Sequence, residues 1–391
     1  MKKQLLLIGG GHAHMVTLTK LHTFIDKGFG VTVIQPSEYH YYSGMGPGML
    51  GGTYKPDDIR FATRRIVEAR GGRFILGKAY SIDPLKQLVC LEGSGEEIPY
   101  DVLSCNAGSH VPRDILGEQT ANVFTSKPIE ELLAAREKIL ALCAQRTVAI
   151  GVVGSGPSSI EIAGNIHQLC RGHVAYMPNI QLFGGRSFMS GKPERVRRLA
   201  RKILERKGIE IIESGYVQKI ENENIFLENG ASYQADIIFP AVGVRPSQIF
   251  ARSGLPVGPD GGLRVNEFLQ STGYTNVFGG GDCIYFESEP LDKVGVYAVR
   301  QNPVLYQNLL NSLEGGPLEK FSPGGKYLLI YNLGDGEGVL SKWSITFSGK
   351  VAFFIKDQID RKFIRTFQET RLSTLARVSL VDIAFAKQAF P

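Results

Sequence analysis

Two glycine-rich loops in the sequence have the composition that binds phosphate groups. Gly9 and Gly11 directly follow one apolar run, and Gly154 and Gly156 directly follow another. Glycines at such a turn let the backbone approach a pyrophosphate closely. The free N–H groups and the positive dipole end of the following helix then stabilise its charge. Each loop therefore predicts a site for a dinucleotide.

The first loop departs from the usual glycine fingerprint at two places. His14 stands where the third glycine is normally found. Gln35 ends the second apolar run, where an acid normally holds the ribose hydroxyls. A glutamine can still hydrogen-bond a diol, but without the assistance of a charge. By itself, this loop is also compatible with an ordinary α/β turn.

The second loop lacks the ribose acid as well, since Gly184 stands at the end of its second apolar run. Without that acid the usual preference for an unphosphorylated ribose is lost, so we expect both NADH and NADPH to serve. Arg186 is either a partner for a 2′-phosphate or a solvated loop arginine. Glu161 lies just inside the helix that follows the loop, near its positive end.

The segment from Thr275 to Asp282 is the most specific motif. It places a carboxylate directly after a strand pattern and three glycines, a position suited to a hydrogen bond with a ribitol hydroxyl of FAD. Capping of the next helix by Asp282 is compatible with that role. The segment follows the two loops and Ala241-Val242-Gly243 along the chain. This order predicts one FAD site and one nicotinamide nucleotide site.

These motifs need parallel strands to position them. Both loops lie in a pattern of strand, glycine turn, helix and strand. The pattern covers residues 4–8, 12–25 and 31–34 in the first copy, and 147–153, 158–170 and 180–183 in the second. Further strands are predicted at 237–242 and 276–278, and a helix at 294–313. We therefore predict an α/β fold with two Rossmann-like dinucleotide-binding domains (three-layer ββα) and a small C-terminal α+β segment.

The C-terminal segment carries an amphipathic pattern of its own. Strands are predicted at 327–331, 339–346 and 351–354, then a helix at 355–371 and a second helical segment that ends at Phe390. Ile355, Ile359, Phe363 and Phe367 recur at a spacing of four, opposite a basic polar face. Residues 321–391 hold 10 Lys plus Arg against 6 Asp plus Glu. The apolar face predicts contact with an anionic membrane surface, with the protein itself or with a second subunit.

The composition excludes several other classes of protein. A net charge of +6, with no basic run interleaved with aromatics, argues against nucleic-acid binding. The five cysteines include no CxxC, and residues 41–51 lack the CxxxxC pair of a disulfide reductase. His12 and His14 diverge from a turn, so we expect packing or phosphate-loop roles and no metal site. The N-terminus lacks a secretory pattern and the chain lacks a long apolar run, which predicts a cytoplasmic protein.

The order of the motifs resembles the flavoproteins with two dinucleotide-binding domains, the pyridine nucleotide–disulfide oxidoreductases. Residues 39–45 (YHYYSGM) and 298–301 (AVRQ) resemble type II NADH dehydrogenases and sulfide:quinone reductases. Residues 9–14 (GGGHAH), 42–45 and 356–363 are most similar to the oxidoreductase domain fused to some selenophosphate synthases. The resemblance covers nearly the whole chain.

The resemblance implies two half-reactions, in which NADH or NADPH reduces FAD and a small acceptor, a quinone, then takes the electrons. The residues implied at the FAD are Gly9, Gly11, His12, Gln35, Asn106 and Asp282. Those implied at the nicotinamide cofactor are Gly154, Gly156, Glu161 and Gly243. Lys293, Ala298 and Gln301 would lie near the flavin ring and the second substrate. Of all these, Glu161, Lys293 and Gln301 are the candidates for catalysis.

The predicted FAD domain comprises residues 1–112 and 256–320, with a NAD(P)H-binding domain, residues 113–255, inserted in it. Residues 321–391 form an accessory segment that dimerises or touches the inner face of a membrane. Two alternatives stay open at this point. One is an oxidoreductase acting on sulfide or selenide, which the missing cysteine pair opposes. The other is a non-catalytic flavin-binding redox sensor.

Overall fold

The computed structural model describes residues 2–117, 122–343 and 345–368 of the 391-residue chain. Its helices are α1 (Met15–Thr19), α2 (Leu21–Asp26), α3 (Gly46–Leu50), α4 (Thr63–Ala69), α5 (Glu131–Cys143), α6 (Pro157–Cys170), α7 (Glu194–Arg206), α8 (Ile249–Arg252), α9 (Gly295–Glu314) and α10 (Lys350–Gln368). Its strands are β1 (Gln4–Ile8), β2 (Gly30–Gln35), β3 (His40–Tyr41), β4 (Arg60–Phe61), β5 (Arg73–Leu76), β6 (Ala79–Asp83), β7 (Leu88–Leu91), β8 (Glu97–Pro99), β9 (Val102–Cys105), β10 (Ser109–His110), β11 (Ala149–Val153), β12 (Asn179–Phe183), β13 (Glu210–Ile212), β14 (Val217–Glu221), β15 (Asn224–Leu227), β16 (Ser232–Gln234), β17 (Ile237–Pro240), β18 (Arg245–Pro246), β19 (Leu263–Val265), β20 (Val277–Gly279), β21 (Ile284–Phe286), β22 (Leu329–Asn332), β23 (Gly338–Lys342) and β24 (Ile345–Gly349).

A five-stranded parallel sheet in the order β20-β9-β1-β2-β5 carries the first glycine loop. Its central strands β1 and β2 are aliphatic and buried, as parallel strands between two covering layers must be. They pair from Gln4 with Gly30 to Ile8 with Ile34. Strand β20 joins this sheet from far along the chain, which brings the Asp282 motif beside the first loop. The antiparallel strands β6, β7 and β8 share the core of this sheet.

A second parallel sheet in the order β13-β12-β11-β17 carries the second glycine loop. Strands β14, β15 and β16 form an antiparallel meander against it. The loop leads directly into α6, which has Pro157 at its first position, where a missing N–H costs nothing. The two parallel sheets confirm the α/β class, and α6 and α9 confirm the helices predicted at 158–170 and 294–313 within one residue at each end.

The C-terminal segment is a three-stranded antiparallel sheet, β22-β23-β24, covered by α10. The strand predicted at 351–354 is wrong, because these residues lie in the first turns of α10. Their β-branched and aromatic side chains favour a strand locally. In the structure these residues are helical, and Ala352 is the one that packs in the core. The strand predicted at 339–346 is a hairpin that turns at Trp343, where φ is +51°.

The apolar face predicted for the C-terminal helix packs on the protein itself. Phe363 and Ile364 are buried in the core that surrounds the second parallel sheet, and Phe367 packs against that core. The sequence left three partners open for this face: a membrane surface, the protein itself and a second subunit. In the structure the face packs on the protein itself. The second helical segment predicted up to Phe390 lies outside the described residues.

The helix predicted at 12–25 is interrupted near its start. A 3₁₀ turn covers His12–His14, followed by α1 and α2. The side chain of Asn302 from α9 inserts here, since it donates to the carbonyl of His12 and accepts the amide of Val16, both at 2.8 Å. These two backbone groups would otherwise bond to each other in a regular α-helix.

Within the described ranges, no helix combines the length and the apolar character needed to cross a bilayer. Within the same ranges, no three His, Cys, Asp or Glu side chains come together as metal ligands would.

Candidate functional site

The first glycine loop has a shape that only glycine permits. Gly9 has φ of +83°, and a Cβ there would lie 2.3 Å from the carbonyl oxygen of Asn106. The Gly10 amide donates to Oε1 of Gln35 (2.9 Å), whose Nε2 donates to the carbonyls of Ser37 (2.6 Å) and Tyr39 (2.9 Å). Gln35 thus holds the loop, and contact with a ribose would require it to release one of these bonds.

His14 replaces the third glycine by bridging the loop to β9. Its Nδ1 lies 2.6 Å from the carbonyl oxygen of Gly9 and its Nε2 lies 2.8 Å from Oγ of Ser104. The ring is completely buried, and burial lowers its pKa to about 4. The carbonyl fixes a proton on Nδ1, so Nε2 accepts from the serine hydroxyl.

Two buried polar atoms at the first loop point to a ligand. Among the described residues, neither Nε2 of His12 nor Nδ2 of Asn106 has a hydrogen-bond partner, although both side chains are buried. An unsatisfied buried polar group costs roughly 1–3 kcal/mol, so such groups usually meet a bound molecule or water. The amide of Asn106 lies between Gly11 and Gly281, within 2.8 Å of where a Cβ would stand at either. The cradle and its donors fit the phosphates and ribitol of FAD.

Asp282 closes this cradle together with a residue that the sequence did not reveal. Its Oδ2 accepts from Lys127 Nζ (2.6 Å) and from Ser109 Oγ (2.7 Å). Burial alone would raise the pKa of Asp282, but the charge and hydrogen bond of Lys127 outweigh it and hold that pKa below its usual value. Lys127 lies in a linker 155 residues before Asp282, where no motif marks it.

Two of the other predicted flavin-side residues, Lys293 and Gln301, line a small cavity next to Asp282. Gln301 is buried and its Oε1 accepts the amide of Gly281 (2.7 Å), so it fixes the glycine turn. Lys293 pairs with Asp260 (2.7 Å) and also donates to the carbonyl of Ile284. Ala298 is buried one helical turn before Gln301, beside that glycine turn.

The second glycine loop forms an open cradle. Gly154 has φ of +136°, and a Cβ there would lie 2.2 Å from the carbonyl oxygen of Ala241. Gly156 and Gly243 face open space, because a Cβ at either would have no described atom within 4 Å beyond the adjoining backbone. The loop, the start of α6 and the end of β17 thus leave room for a nucleotide pyrophosphate.

Glu161 belongs to α6 but its carboxylate faces the C-terminal segment. Its Oε1 accepts the amide of Asn332 (2.7 Å). Burial raises the pKa of Glu161 to about 7, against the opposing effects of Lys356 and of the Asn332 hydrogen bond. The sequence placed Glu161 towards the nicotinamide; the structure places it in a separate polar cluster.

That polar cluster joins three parts of the chain, and we call it the acceptor cluster: Tyr42, Glu161, Asn332, Lys356 and Asp360. The Tyr42 hydroxyl donates to Asp360 (3.0 Å), and Lys356 donates to Asp360 (2.5 Å) and to the carbonyl of Gly44 (2.7 Å). Burial raises the pKa of the Asp360 carboxyl above its usual value. It raises the pKa of the Tyr42 hydroxyl well above its usual value. These groups can hold protons away from solvent.

Four of the five cysteines are buried and behave as small hydrophobes. Cys283 donates to the carbonyls of Gly280 (3.3 Å) and Cys105 (3.4 Å). Burial raises the pKa of Cys283 to about 11, and it also raises those of Cys105, Cys143 and Cys170. These four thiols therefore stay protonated near neutral pH, which makes them poor nucleophiles.

Comparison with known proteins places these sites in context. The family model described as pyridine nucleotide-disulphide oxidoreductase matches residues 3–308. Ferroptosis suppressor protein 1 of Taeniopygia guttata is 27% identical over 88% of this chain and 90% of its own. The type II NADH:quinone oxidoreductase of Staphylococcus saprophyticus is 25% identical over 93% and 95% of the two chains. The fold is that of NDH2 from Plasmodium falciparum, solved with NADH, with a TM-score of 0.79, 14% identity and coverage of 100% and 99%.

The first prediction tests the Asp282–Lys127 pair. Lys127→Met should weaken FAD retention about tenfold or more, because it removes a charge-assisted hydrogen bond worth roughly 1.5–3 kcal/mol and leaves a buried carboxylate unpaired beside the phosphate loop. Equilibrium titration of the apoprotein with FAD measures this. Asp282→Asn should weaken binding as well, and adding Lys127→Met to it should cost little more.

The control for this prediction is the exposed pair of Lys86 and Asp83, 3.4 Å apart. Lys86→Met should leave FAD affinity unchanged. Equal FAD affinity in the wild type and in Lys127→Met would show that Lys127 has no part in the site. The cofactor released on denaturation should be FAD and not FMN, since the loop is built for a pyrophosphate.

The second prediction concerns His14 and pH. Its pKa is about 4 in the folded protein and about 6.5 unfolded, so only the unfolded chain takes up a proton between these values. His14 should therefore contribute a loss of stability of about 1.4 kcal/mol per pH unit as the pH drops from 6.5 to 4, and none above 6.5. Burial also lowers the pKa values of His12 and His40, so these two residues should add to that loss. Urea unfolding across this range measures it. His14→Gln should be less stable at pH 7 but lose less on acidification, whereas the exposed His22→Gln should follow the wild type.

Proposed function

Because the chain belongs to the pyridine nucleotide-disulphide oxidoreductase family, we propose that it is an FAD-dependent NAD(P)H oxidoreductase that passes electrons to a quinone-type acceptor. FAD supplies the two-electron carrier, and the protein positions it. The observation that carries this proposal is the pair of glycine cradles, one with orphaned donors beside Asp282 and one open above α6. The relatives named NADH:quinone oxidoreductase support the acceptor class.

Gly9, Gly11, His12, Asn106 and Asp282 would hold FAD, with Gln35 acting through the loop. Gly154, Gly156 and Gly243 would admit the pyrophosphate of the nicotinamide nucleotide. Lys293 and Gln301 line the cavity beside Asp282, where the flavin and the second substrate would meet, and Ala298 packs beside the glycine turn next to it.

The acceptor cluster would supply protons to the acceptor. Reduction of a quinone to a quinol takes up two electrons and two protons. A carboxyl with a pKa of about 7 holds and releases a proton near neutral pH, and Glu161 is such a group. Lys356 stays charged, because Asp360 and Glu161 raise its pKa more than burial lowers it. Tyr42 and Lys356 both donate to Asp360, and the charge of Asp360 acts on Glu161 and helps to raise its pKa.

The division into domains follows the two sheets. The five-stranded sheet takes its strands from residues 4–105 and 277–279, and the four-stranded sheet takes its strands from residues 149–240. These support an FAD domain of residues 1–112 and 256–320 with a NAD(P)H domain of residues 113–255 inserted. The strands β10 and β18 pair close to both boundaries.

Within the family, we further propose the subgroup whose oxidoreductase domain is fused to some selenophosphate synthases, on residues 9–14, 42–45 and 356–363. An acceptor or donor containing sulfur or selenium is then the second candidate. The four protonated cysteines disfavour it, as does the lack of an exposed thiol pair among the described residues. A flavin that no nicotinamide nucleotide bleaches would instead indicate a redox sensor.

We also propose peripheral contact with the inner face of a membrane, through a surface other than the predicted one. Trp343, Ile345, Val351 and Phe354 are among the most exposed large apolar side chains, at 57–68%. The first two lie at the β23–β24 turn, and the others on the outer side of α10. Several exposed apolar side chains in one segment of a chain often mark an interaction site. We call these four residues the apolar patch.

Charge favours an anionic lipid surface as the partner of the apolar patch. Both acids of α10 are turned inward, with Asp357 16% and Asp360 7% exposed. The exposed positions Lys350 and Arg365 leave cations on the outer side. Helix α7, which packs on the same hairpin, has six basic and two acidic residues. Cations around exposed apolar side chains favour contact with an anionic lipid surface.

The third prediction tests Glu161. Glu161→Gln keeps an acceptor for the Asn332 amide but cannot release a proton. Flavin reduction by NAD(P)H should stay close to the wild-type rate, whereas reoxidation of the reduced flavin by a short-chain quinone should slow by about a hundredfold. In the wild type this rate should fall as the pH rises through about 7, where Glu161 loses its proton. The variant should lack that inflection.

Stopped-flow measurement of the two half-reactions separates these outcomes. The exposed Glu137→Gln on α5 is the matched control and should behave as the wild type. Wild-type reoxidation rates in Glu161→Gln, with the same pH profile, would exclude the acceptor cluster as the proton source.

The fourth prediction tests the apolar patch. Trp343 is the only tryptophan of the chain, so its fluorescence reports this surface alone. Vesicles of phosphatidylglycerol should shift its emission to the blue, and vesicles of pure phosphatidylcholine should shift it less. Phe354→Ser should weaken vesicle binding about tenfold, since burying such a side chain contributes roughly 1.5–3 kcal/mol. Salt should weaken binding too.

Leu85→Ser is the matched control, because Leu85 is 84% exposed on another part of the surface. It should leave vesicle binding unchanged. If Phe354→Ser instead abolishes a homodimer seen by sedimentation while vesicles bind neither protein, the apolar patch is a subunit interface and the membrane proposal fails.

A further inference from the structure

The loop after β12, residues 184–189, is fastened to the second glycine cradle. Ser155 of the cradle accepts the amide of Met189 and donates to the carbonyl of Ser187 (3.4 Å). Arg197 of α7 donates to the hydroxyl oxygen of Ser187 (2.9 Å). The loop therefore holds a hydroxyl and a guanidinium at a fixed position beside the nucleotide cradle.

Two carboxylates, Glu213 and Glu228, bind to this loop. Glu213 accepts the amide of Phe188 (2.6 Å) and the guanidinium of Arg201 (2.5 Å). Glu228 forms a two-point pair with Arg186, with N–O distances of 2.6 and 2.9 Å. Neither replaces the acid that is missing at Gly184, because both carboxylates already accept hydrogen bonds from neighbouring groups.

Arg186 is held in one orientation by its partners. Glu228 uses its Nε and Nη2, and the guanidinium lies 5.6 Å from the centre of the Tyr216 ring. Tyr216 in turn packs against the backbone of Gly185, where a Cβ would be 2.8 Å from the ring. Nη1 is not part of the Glu228 pair, and the arginine side chain is 71% exposed. Such a preorganised guanidinium loses little entropy when it binds an anion.

The nucleotide ribose in a Rossmann fold lies at the carboxyl end of the second strand, which here is Phe183. Arg186 and Ser187 follow within four residues, and Arg197 touches Ser187. We propose that Arg186, Ser187 and Arg197 bind the 2′-phosphate of NADPH, so that NADPH is preferred over NADH. This inference rests on the proposed reduction of the protein by NAD(P)H, and it sharpens the expectation that both nucleotides serve. Two guanidinium groups and a hydroxyl are suited to a dianionic phosphate.

Introducing the missing acid at Gly184 tests the proposed phosphate site. A Cβ at Gly184 would have its nearest heavy atom at 3.5 Å, an ordinary contact, so a larger residue fits. Gly184→Asp should raise the KM for NADPH by tenfold to a hundredfold and leave that for NADH within about threefold, because one charged contact is exchanged for a repulsion. Gly184→Ala adds the Cβ without the charge and should keep the NADPH preference.

Arg186→Ala should cause the same loss for NADPH, while the exposed Arg195→Ala on α7 should not. Anaerobic flavin reduction by each nucleotide gives the two constants. Calorimetric titration of the FAD-loaded protein with adenosine 2′,5′-bisphosphate and with AMP is a second readout that needs no turnover. The bisphosphate should bind at least tenfold more tightly than AMP, and Arg186→Ala should abolish that difference.

The outcomes separate this inference from the proposed function. Faster reduction by NADH than by NADPH, with equal binding of the two adenosine phosphates, overturns the phosphate site and leaves the oxidoreductase proposal standing. If neither nucleotide reduces the flavin but the bisphosphate binds tightly through Arg186, the site stands and the oxidoreductase proposal fails. An effect of Gly184→Ala as large as that of Gly184→Asp would also overturn the inference, because shape and not charge would then be responsible.

Discussion

The close approach of α6 to the turn after β22 is the contact on which the arrangement of the sites depends. A Cβ at Gly164 would lie 2.2 Å from the carbonyl oxygen of Leu333, and one at Gly334 would lie 2.2 Å from the carbonyl oxygen of Gly164. The two backbones therefore touch, which only glycine allows. This contact brings Asn332 to Glu161 and encloses the carboxylate that would otherwise face solvent at the helix surface.

Two buried lysine–carboxylate groups show how charge balance sets the proton affinity of each site. At the FAD cradle Lys127 serves one carboxylate, and the pKa of Asp282 lies below its usual value. In the acceptor cluster the charge of Lys356 acts on both Glu161 and Asp360. Burial nevertheless raises the pKa of each of these carboxyls. One cation cannot compensate two buried anions. The first group therefore keeps a fixed charge, and the second holds a proton that it can exchange near neutral pH.

The sequence could predict features that depend on neighbouring residues, but not contacts that only the tertiary fold creates. The glycine loops and Asp282 follow directly after strands, so their positions at the ends of parallel strands could be predicted from spacing alone. Lys127 could not, because only the tertiary fold brings a linker lysine to a carboxylate 155 residues away. The inserted side chain of Asn302, which interrupts the first helix, is hidden for the same reason. Residues 351–354 were misassigned because short apolar runs fit a strand or a helix equally well.

The inward orientation of the two aspartates of α10 determines both the acceptor cluster and the composition of the helix's outer side. Asp357 and Asp360 must face inward, since Tyr54, Tyr42, Lys356 and Arg361 bind them there. The outer side is consequently left without acids, and Val351 and Phe354 share it with cations. Quinones with long apolar tails dissolve in lipid, so the proposed contact of the outer side with a membrane would shorten the path between lipid and the protons held on the inner side. The inward pairing that builds the acceptor cluster is thus also what makes the outer side compatible with an anionic membrane.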